Sequence, residues 1–414
     1  MNKCDKLFLE AFRASLENKK VEWDFEITPD EWVLLFRKAE IHQVLPLIFE
    51  AVFSCPAAKA IGQNFFMPYR RKMMQQVMLQ IRKTEEFMNL YRFMRAKGLH
   101  PLMVKGITCR QLYPNPDYRG SSDEDMLIKS REFAEAHKAM LEYGMVTQVE
   151  DRNLKAQYEI PYVKTDAPLY IELHKSLFPP ESEAYGELNN FFKDVHAKAI
   201  AINVQGMDIL TIEYTENLFY LICHAFKHFL HRGFGIRQVS DMIMFANAYG
   251  KYIDWDKVLK NCEAIHADKF AMAIFKIGEK YLGFSFEKAC CTDAWKKSSV
   301  DAEPLLKDLL AGGIYGDSDM SRKHSSTLTL NAVQAQKSGK KVKTNVLKAV
   351  FPGMSSMTAK YPYLEKYPFL LPVAYGARIV KYGKESKSMH GNKASESIKI
   401  GNQRIELLKK YDII

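Results

Sequence analysis

The sequence predicts an α+β fold, a small mixed β-sheet core flanked by N-terminal and C-terminal helical regions. Three observations carry this expectation. Apolar residues recur at helical spacing up to about residue 98. Short β-like runs bounded by turn residues then fill 99–212. Helical spacing returns from 213 onward. The 414 residues exceed what one core usually holds, so several units are expected. They are an N-terminal helical region 1–98, an α/β core 99–212, a helical bundle 213–300 lining a cleft, and a helical extension 301–414.

The first region opens with Leu7, Phe8, Ala11, Phe12 and Leu16 at helical spacing. Thr28-Pro29-Asp30-Glu31 is a helix start, with an N-cap residue, proline in the first turn and early acids. The helix behind it carries Trp32, Leu35 and Phe36. A long helix is expected from about Asn64 to Arg95, through Met73, Val77, Ile81, Phe87, Leu90 and Phe93, stopping at Lys97-Gly98. It reads as scaffold, and its methionines (Met67, Met73, Met74, Met78, Met88, Met94) read as core filling.

The second region offers strands at Leu102–Val104, Asp125–Lys129, Met145–Val149, Tyr158–Val163, Leu169–His174, Ile200–Val204 and Met207–Ile212. A helix from Glu132 to Tyr143, stopped by Gly144, lies among them. The third region holds a helix from Thr215 through Phe229, a break at Gly233-Phe234-Gly235, and a helix from about Gln238 to Ala248. Further on come the basic run Lys337 to Lys343, turns at Phe351-Pro352-Gly353 and Tyr361-Pro362, and an amphipathic helix Leu370 to Tyr382 carrying Arg378. Lys384 to Ser397 reads as linker, and no internal repeat is visible.

Composition narrows the function classes. A net charge of +10 suits a polyanionic or phosphorylated partner, or simply solubility. Seven irregularly spaced cysteines without a Cys-x-x-Cys pair argue against a disulfide framework or a cysteine zinc site. The N-terminus reads as an amphipathic helix and not as a signal peptide, and no apolar run is long enough to span a membrane. A reducing, cytoplasmic location is the expectation.

The chemistry concentrates between His100 and Ser130. A short strand leads into Lys105-Gly106, then a helix-compatible segment, then Arg119-Gly120-Ser121-Ser122, then Asp123-Glu124-Asp125 entering a second strand. Residues two apart in a strand share a face, so Asp123 and Asp125 sit together and Glu124 points the other way. Paired carboxylates repel unless a cation lies between them, and a divalent metal is the usual solution.

The ordered set Lys105-Gly106, Tyr113-Pro114, Arg119, Asp123 and Asp125, with Glu172 and His174 in YIELHKSLF and the segment HAFKHFLHRGFGIRQVSD, resembles the polymerase-β-like nucleotidyltransferase superfamily. More narrowly, it resembles a bacterial family of uncharacterised nucleotidyltransferases. The likeness covers roughly residues 95–250. It implies transfer of a nucleoside monophosphate from a nucleoside triphosphate to an acceptor that the sequence does not name: a small molecule, a sugar, a protein or an RNA. Two Mg²⁺ ions, with Mn²⁺ as a substitute, would neutralise the phosphates. Asp123 and Asp125 would bridge the metals. Glu172 is the third candidate, as ligand or base, although the superfamily usually places Asp there.

Nucleotide contacts are expected from Lys105, Gly106, Arg119, Ser122, His174, His228, Arg237 and Asp241. Gly106 is favoured over Gly120-Ser121 as the turn whose backbone N–H groups approach the phosphates. Plainer readings stand beside these. Lys105 is a surface residue, Arg119 neutralises Asp117 or Asp123, and Arg237 and Asp241 form an i, i+4 ion pair. His224, His228 and His231 share one helix face but lack the glutamate of a His-Glu-x-x-His zinc motif, so they read as lining a polar groove. The competing function is a catalytically inactive module of the same fold that binds nucleic acid or another polyanion. No His-x-Asp-x-x-x-x-Asn loop is present, which disfavours a kinase of the aminoglycoside type.

Overall fold

The structure, a computed structural model, describes residues 1–150, 153–154, 156–182, 184–231, 233–313, 329, 332–333, 354–358, 361, 363–388 and 394–414. Five helices come first: α1 (Lys3–Leu16), α2 (Pro29–Ile41), α3 (Leu45–Val52), α4 (Pro56–Ile61) and α5 (Gln63–Ala96). The expected start of α2 is a full capping box. Glu31 N donates to Thr28 Oγ1 at 3.3 Å, and Thr28 N donates back to Glu31 Oε2 at 2.9 Å. Gly98, at φ +77°, closes α5 in the left-handed conformation that glycine adopts without strain.

The core follows as β1 (Leu102–Met103), α6 (Ile107–Arg110), β2 (Glu124–Leu127), α7 (Phe133–Glu142), β3 (Met145–Val146), β4 (Glu159–Lys164), β5 (Tyr170–His174), β6 (Ile200–Val204) and β7 (Met207–Thr211). The strands form one mixed seven-stranded sheet in the order β3-β4-β5-β2-β1-β7-β6. The β2–β5 and β1–β7 pairs are parallel, and the others are antiparallel. Every expected strand is present within two or three residues at its ends.

The two sheet faces bury different cores. On one side Met103, Met126, Ile171 and Leu173 pack with Phe87, Leu90, Tyr91 and Met94 of α5 and with Ala136 and Met140 of α7. On the other, Leu102, Val104 and Leu127 join a larger core. That core is shared by α1–α3 and by α8 (Tyr214–His231), α9 (Ile236–Tyr249), α10 (Trp255–Ala264), α11 (Asp268–Tyr281) and α13 (Glu303–Gly312), with α12 (Asp293–Lys296) beside them. The N-terminal helices and the helices after the sheet therefore share one apolar interior. The alternation of strand residues decides which face each joins.

The remaining described helices are α14 (Met354–Thr358), α15 (Tyr363–Lys366), α16 (Leu371–Ser388) and α17 (Ala394–Lys410). The last two replace most of the expected linker: residues 384–388 finish α16 and 394–397 begin α17. Leu407, Leu408 and Tyr411 enter the large core, and the buried Arg404 donates to the carbonyls of Phe229 and His231 at the end of α8. Lys337 to Lys343, Phe351-Pro352-Gly353, Pro362 and Arg232 lie outside the described residues. Met73, Met88 and Met94 are buried as expected, but Met67, Met74, Met78 and Ile81 are exposed.

His42, at the end of α2, is fully buried beside the Phe8 ring. Burial, reinforced by Lys38, pushes its pKa down to about 4 from 6.5. The unfolded chain therefore takes up this proton at a higher pH than the folded one. Stability contributed by neutral His42 is complete above about pH 6.5 and is lost as pH falls toward 4, by about 3 kcal/mol in all. Denaturant unfolding of wild type and His42→Gln at pH 7.5 and pH 5 checks this. The wild type should lose clearly more stability on acidification, and parallel losses would refute the assignment.

Candidate active site

The site is built where β2 and β5 run parallel. Their register sets Asp125 beside Glu172 and Leu127 beside His174, so the alternation of both strands delivers Asp125, Glu172 and His174 to one face. Asp125 is 2% exposed. His174 Nε2 lies 3.0 Å from Asp125 Oδ1 and 3.6 Å from Glu172 Oε2, while its Nδ1 lies 3.6 Å from Glu159 Oε2. Among the described residues, Asp125, Glu172 and His174 form a group whose donor atoms all lie within 4.8 Å of one another, a spacing that one metal ion can gather.

Burial alone would lower the His174 pKa, but its bonds to Asp125 and Glu172 prevail and push it up to about 9. In that form the imidazolium donates to Asp125 and orients it. Glu172 is raised, first by burial and further by Asp125 and Asp123, against the lowering pull of His174. The carboxylate oxygens of this face suit a hard cation such as Mg²⁺ or Mn²⁺.

Asp123 precedes β2 and joins the group through a lysine. Lys105 Nζ sits 3.3 Å from Asp123 Oδ2, 3.0 Å from Asp125 Oδ2 and 3.4 Å from His224 Nε2. The cation required between the two aspartates is thus supplied by the chain itself. Burial opposes the charge on Lys105, yet Asp125 and Asp123 hold its pKa well above the usual range. Burial alone would raise the Asp123 pKa, but the same ammonium, with hydrogen bonds from Ser122 and Lys105, holds it well below the usual carboxylate range. Ser122 itself is exposed, its hydroxyl 2.9 Å from Asp123 Oδ1.

Gly106 stands at φ +69°, and a Cβ there would overlap the Glu124 carboxylate. Glu124 Oε2 accepts from Ile107 N at 2.6 Å, so the first amide of α6 is committed to this buried side chain. Gly106 therefore permits close approach of Glu124, and a Gly106→Ala variant should be destabilised by both overlap and backbone strain. A lowered unfolding midpoint would show it; an unchanged one would contradict it.

Of the remaining expected residues, Arg119, Arg237 and Asp241 line a cavity beside Asp123, and His228 does not. Arg119 is committed to a buried pair with Asp241, through Nε to Oδ1 at 3.0 Å and through Nη2 to Oδ2. Tyr113 Oη also donates to Asp241, at 2.8 Å. The aspartate of the expected i, i+4 pair thus takes its partner from a loop 122 residues away. Arg237 Nη1 donates to Gly120 O at 2.6 Å and to Gln43 Oε1 at 3.0 Å. His224 and His228 meet at 3.3 Å between their Nε2 atoms, whereas His231 bonds Tyr185. Burial, then Lys105, depresses His224 well below 6.5, and burial with Lys105 and Lys227 lowers His228 to about 3. Both are neutral at physiological pH.

Lys105, Gly106, Arg119, Ser121, Arg237 and Asp241 line a narrow cavity of about 30 Å³ beside Asp123, room for little more than a water molecule.

Other contributors were not anticipated. Gln80 and Lys83 of α5 hold the loop ahead of Asp123: Lys83 Nζ donates to the carbonyls of Ser121 and Ser122, and Ser121 N donates to Gln80 Oε1 at 2.9 Å. Arg110 forms a buried ion pair with Glu124. Glu159 and Tyr220 also border the acidic group. In the sequence, Gln80 and Lys83 stand as polar residues within the apolar pattern that leads from Met73 to Phe87.

A family model described as uncharacterised nucleotidyltransferase matches residues 28–283, more than half of the chain. No curated protein and no solved structure matches. The matched span contains α2, the complete sheet and α8–α11, hence every side chain of the acidic face. The chain belongs to this family of uncharacterised nucleotidyltransferases and is a nucleotidyltransferase enzyme.

Proposed function

We propose that the protein transfers a nucleoside monophosphate from a nucleoside triphosphate to an acceptor hydroxyl or phosphate, with Mg²⁺ or Mn²⁺, on a polymerase-β-like core. The observation that carries this reading is the register of β2 and β5, which gathers Asp125, Glu172 and His174 within 4.8 Å beside Asp123 and a cavity lined with cations. An acceptor oxygen attacks the α-phosphorus, the bond to the β-phosphate oxygen breaks, and pyrophosphate leaves. Bound divalent metal would supply Lewis-acid neutralisation of the phosphates.

The chain's own residues divide the remaining work. Asp123, Asp125 and Glu172 would hold the metal. Glu172, whose pKa burial raises above the ordinary carboxylate value, is also suited to accept the acceptor's proton. Lys105 and Arg237 would face the triphosphate, and His174 fixes Asp125. Ser122, exposed beside Asp123, is a further phosphate contact, and His228, Arg119 and Asp241 shape the cleft wall.

Incubation with nucleoside triphosphates labelled at the α- or the γ-phosphate, with Mg²⁺ or Mn²⁺, tests the reading on candidate acceptors and on the protein itself. Label should move from the α-position with release of pyrophosphate. Transfer from the γ-position would point to a kinase. Absence of turnover with salt-sensitive nucleic-acid binding would favour the inactive module.

A further inference from the structure

We propose that the Lys105 ammonium and a divalent ion are alternative occupants of the gap between Asp123 and Asp125. Metal binding then drives Lys105 toward the triphosphate, and the two ligands bind cooperatively. The inference rests on the nucleotidyl-transfer reading of the same site and adds to it a defined competition.

Lys105 Nζ lies 3.0 Å from Asp125 Oδ2 and 3.3 Å from Asp123 Oδ2. An Mg²⁺ ion needs oxygens at about 2.0–2.1 Å. An ion drawing one oxygen from each aspartate falls within a few ångströms of the place now held by Nζ. Two like charges cannot share that space at low dielectric, so one displaces the other.

The cleft indicates where the lysine goes. The cavity beside Asp123, about 30 Å³, is lined by three basic side chains, Lys105, Arg119 and Arg237. Arg119 is held in the buried pair with Asp241, and Arg237 bonds Gly120 O and Gln43. Lys105 differs from both: its anionic partners are the metal-binding carboxylates themselves, and its stem is flexible. His224 Nε2 lies 3.4 Å from Nζ, and the two residues line that cavity together. An expelled ammonium lacks its carboxylate partners until a phosphate replaces them. Metal alone therefore binds against the lysine, and metal with nucleotide does not. By linkage, each ligand then strengthens the other to the same degree.

The experiment is a Mn²⁺ titration of the full chain, by calorimetry or electron paramagnetic resonance, with and without a non-hydrolysable α,β-methylene nucleoside triphosphate. Wild type, Lys105→Met, Lys105→Gln and the double variant Asp123→Ala/Asp125→Ala are compared. Lys105→Met should bind Mn²⁺ alone about tenfold or more tightly than wild type. The nucleotide should improve Mn²⁺ binding strongly in wild type and weakly in the lysine variants.

A second readout needs no substitution. Reductive methylation of the wild-type protein, followed by peptide mass spectrometry, should show faster labelling of Lys105 when Mn²⁺ is added. Mn²⁺ bound through Asp123 and Asp125 with no gain in affinity in the lysine variants, or with no change in Lys105 labelling, overturns the competition and leaves the proposed function standing. Mn²⁺ binding insensitive to the double aspartate variant overturns both.

Discussion

Replacing Asp125 by Asn should lower kcat by about a thousandfold or more, equivalent to about 4 kcal/mol of transition-state stabilisation. The substitution keeps volume and shape, removes the charge and turns one acceptor oxygen into an NH2 donor. Asp125 is 2% exposed, accepts from His174 at 3.0 Å through Oδ1, and faces Lys105 at 3.0 Å through Oδ2. It is thus the member of the acidic face shared by both cationic neighbours, and it lies at the centre of the β2–β5 register. An amide there cannot balance a divalent ion, and it also releases His174 and Lys105 from the carboxylate that fixes them. Glu172→Gln should reduce turnover as well. Its side chain is about a quarter exposed, so solvent retains part of its function, and the loss should be smaller than for Asp125. Steady-state release of pyrophosphate measures both variants, with circular dichroism confirming the fold. Turnover of Asp125→Asn within tenfold of wild type would remove Asp125 from the chemistry.

Local chemistry made much of this molecule legible. The strands were readable because alternation, turn residues and short apolar runs mark them without reference to distant partners. The pairing of Asp123 and Asp125, with Glu124 turned away, followed from the strand period alone, as did the demand for a cation between them. The identity of that cation did not follow, because Lys105 reaches the pair through the antiparallel β1–β2 contact. Glu172 and His174 could be named from their motif, but their distance to Asp125 depends on a parallel register that no local pattern encodes. Arg119 with Asp241, and Arg237 with Gln43, are likewise products of chain topology. Gln80 and Lys83 carry no local signal, because the apolar periodicity of α5 points to a stripe that includes Ile81, which is exposed. The true buried face runs through Met73, Gln80, Thr84 and Phe87 and carries polar groups to the loop before Asp123. Helix α17 falls within the expected helical extension, but its start is hidden for a different reason. The polar composition before it resembles a linker, while the contacts that order it are with distant α8 and α13.

Glu124→Ala should destabilise the protein by about 3–5 kcal/mol, a large share of the 5–15 kcal/mol typical of a folded domain. Glu124 and Arg110 are both fully buried. Besides the ion pair, Glu124 accepts from Ile107 N at 2.6 Å and from Ser121 Oγ at 2.9 Å. One carboxylate therefore ties the start of α6, its end and the loop before Asp123 to the first residue of β2. Truncation leaves a guanidinium buried without its counter-charge and an amide without its acceptor, and each is penalised separately. A change confined to an exposed pair would be worth a kcal/mol or less, so the magnitude distinguishes the two situations. Denaturant unfolding at neutral pH measures it, and a loss below about 1 kcal/mol would contradict the clamp. The double substitution Arg110→Met/Glu124→Leu provides the sharper comparison. Apolar replacement of both partners removes the buried charges together and should recover much of the stability. If Glu124 serves only to fold the chain, turnover recovers with it. If the clamp also aims Asp123 and Asp125, the double variant regains stability while kcat stays low, because α6 and the Ser121 loop no longer share an anchor with the strand that carries them.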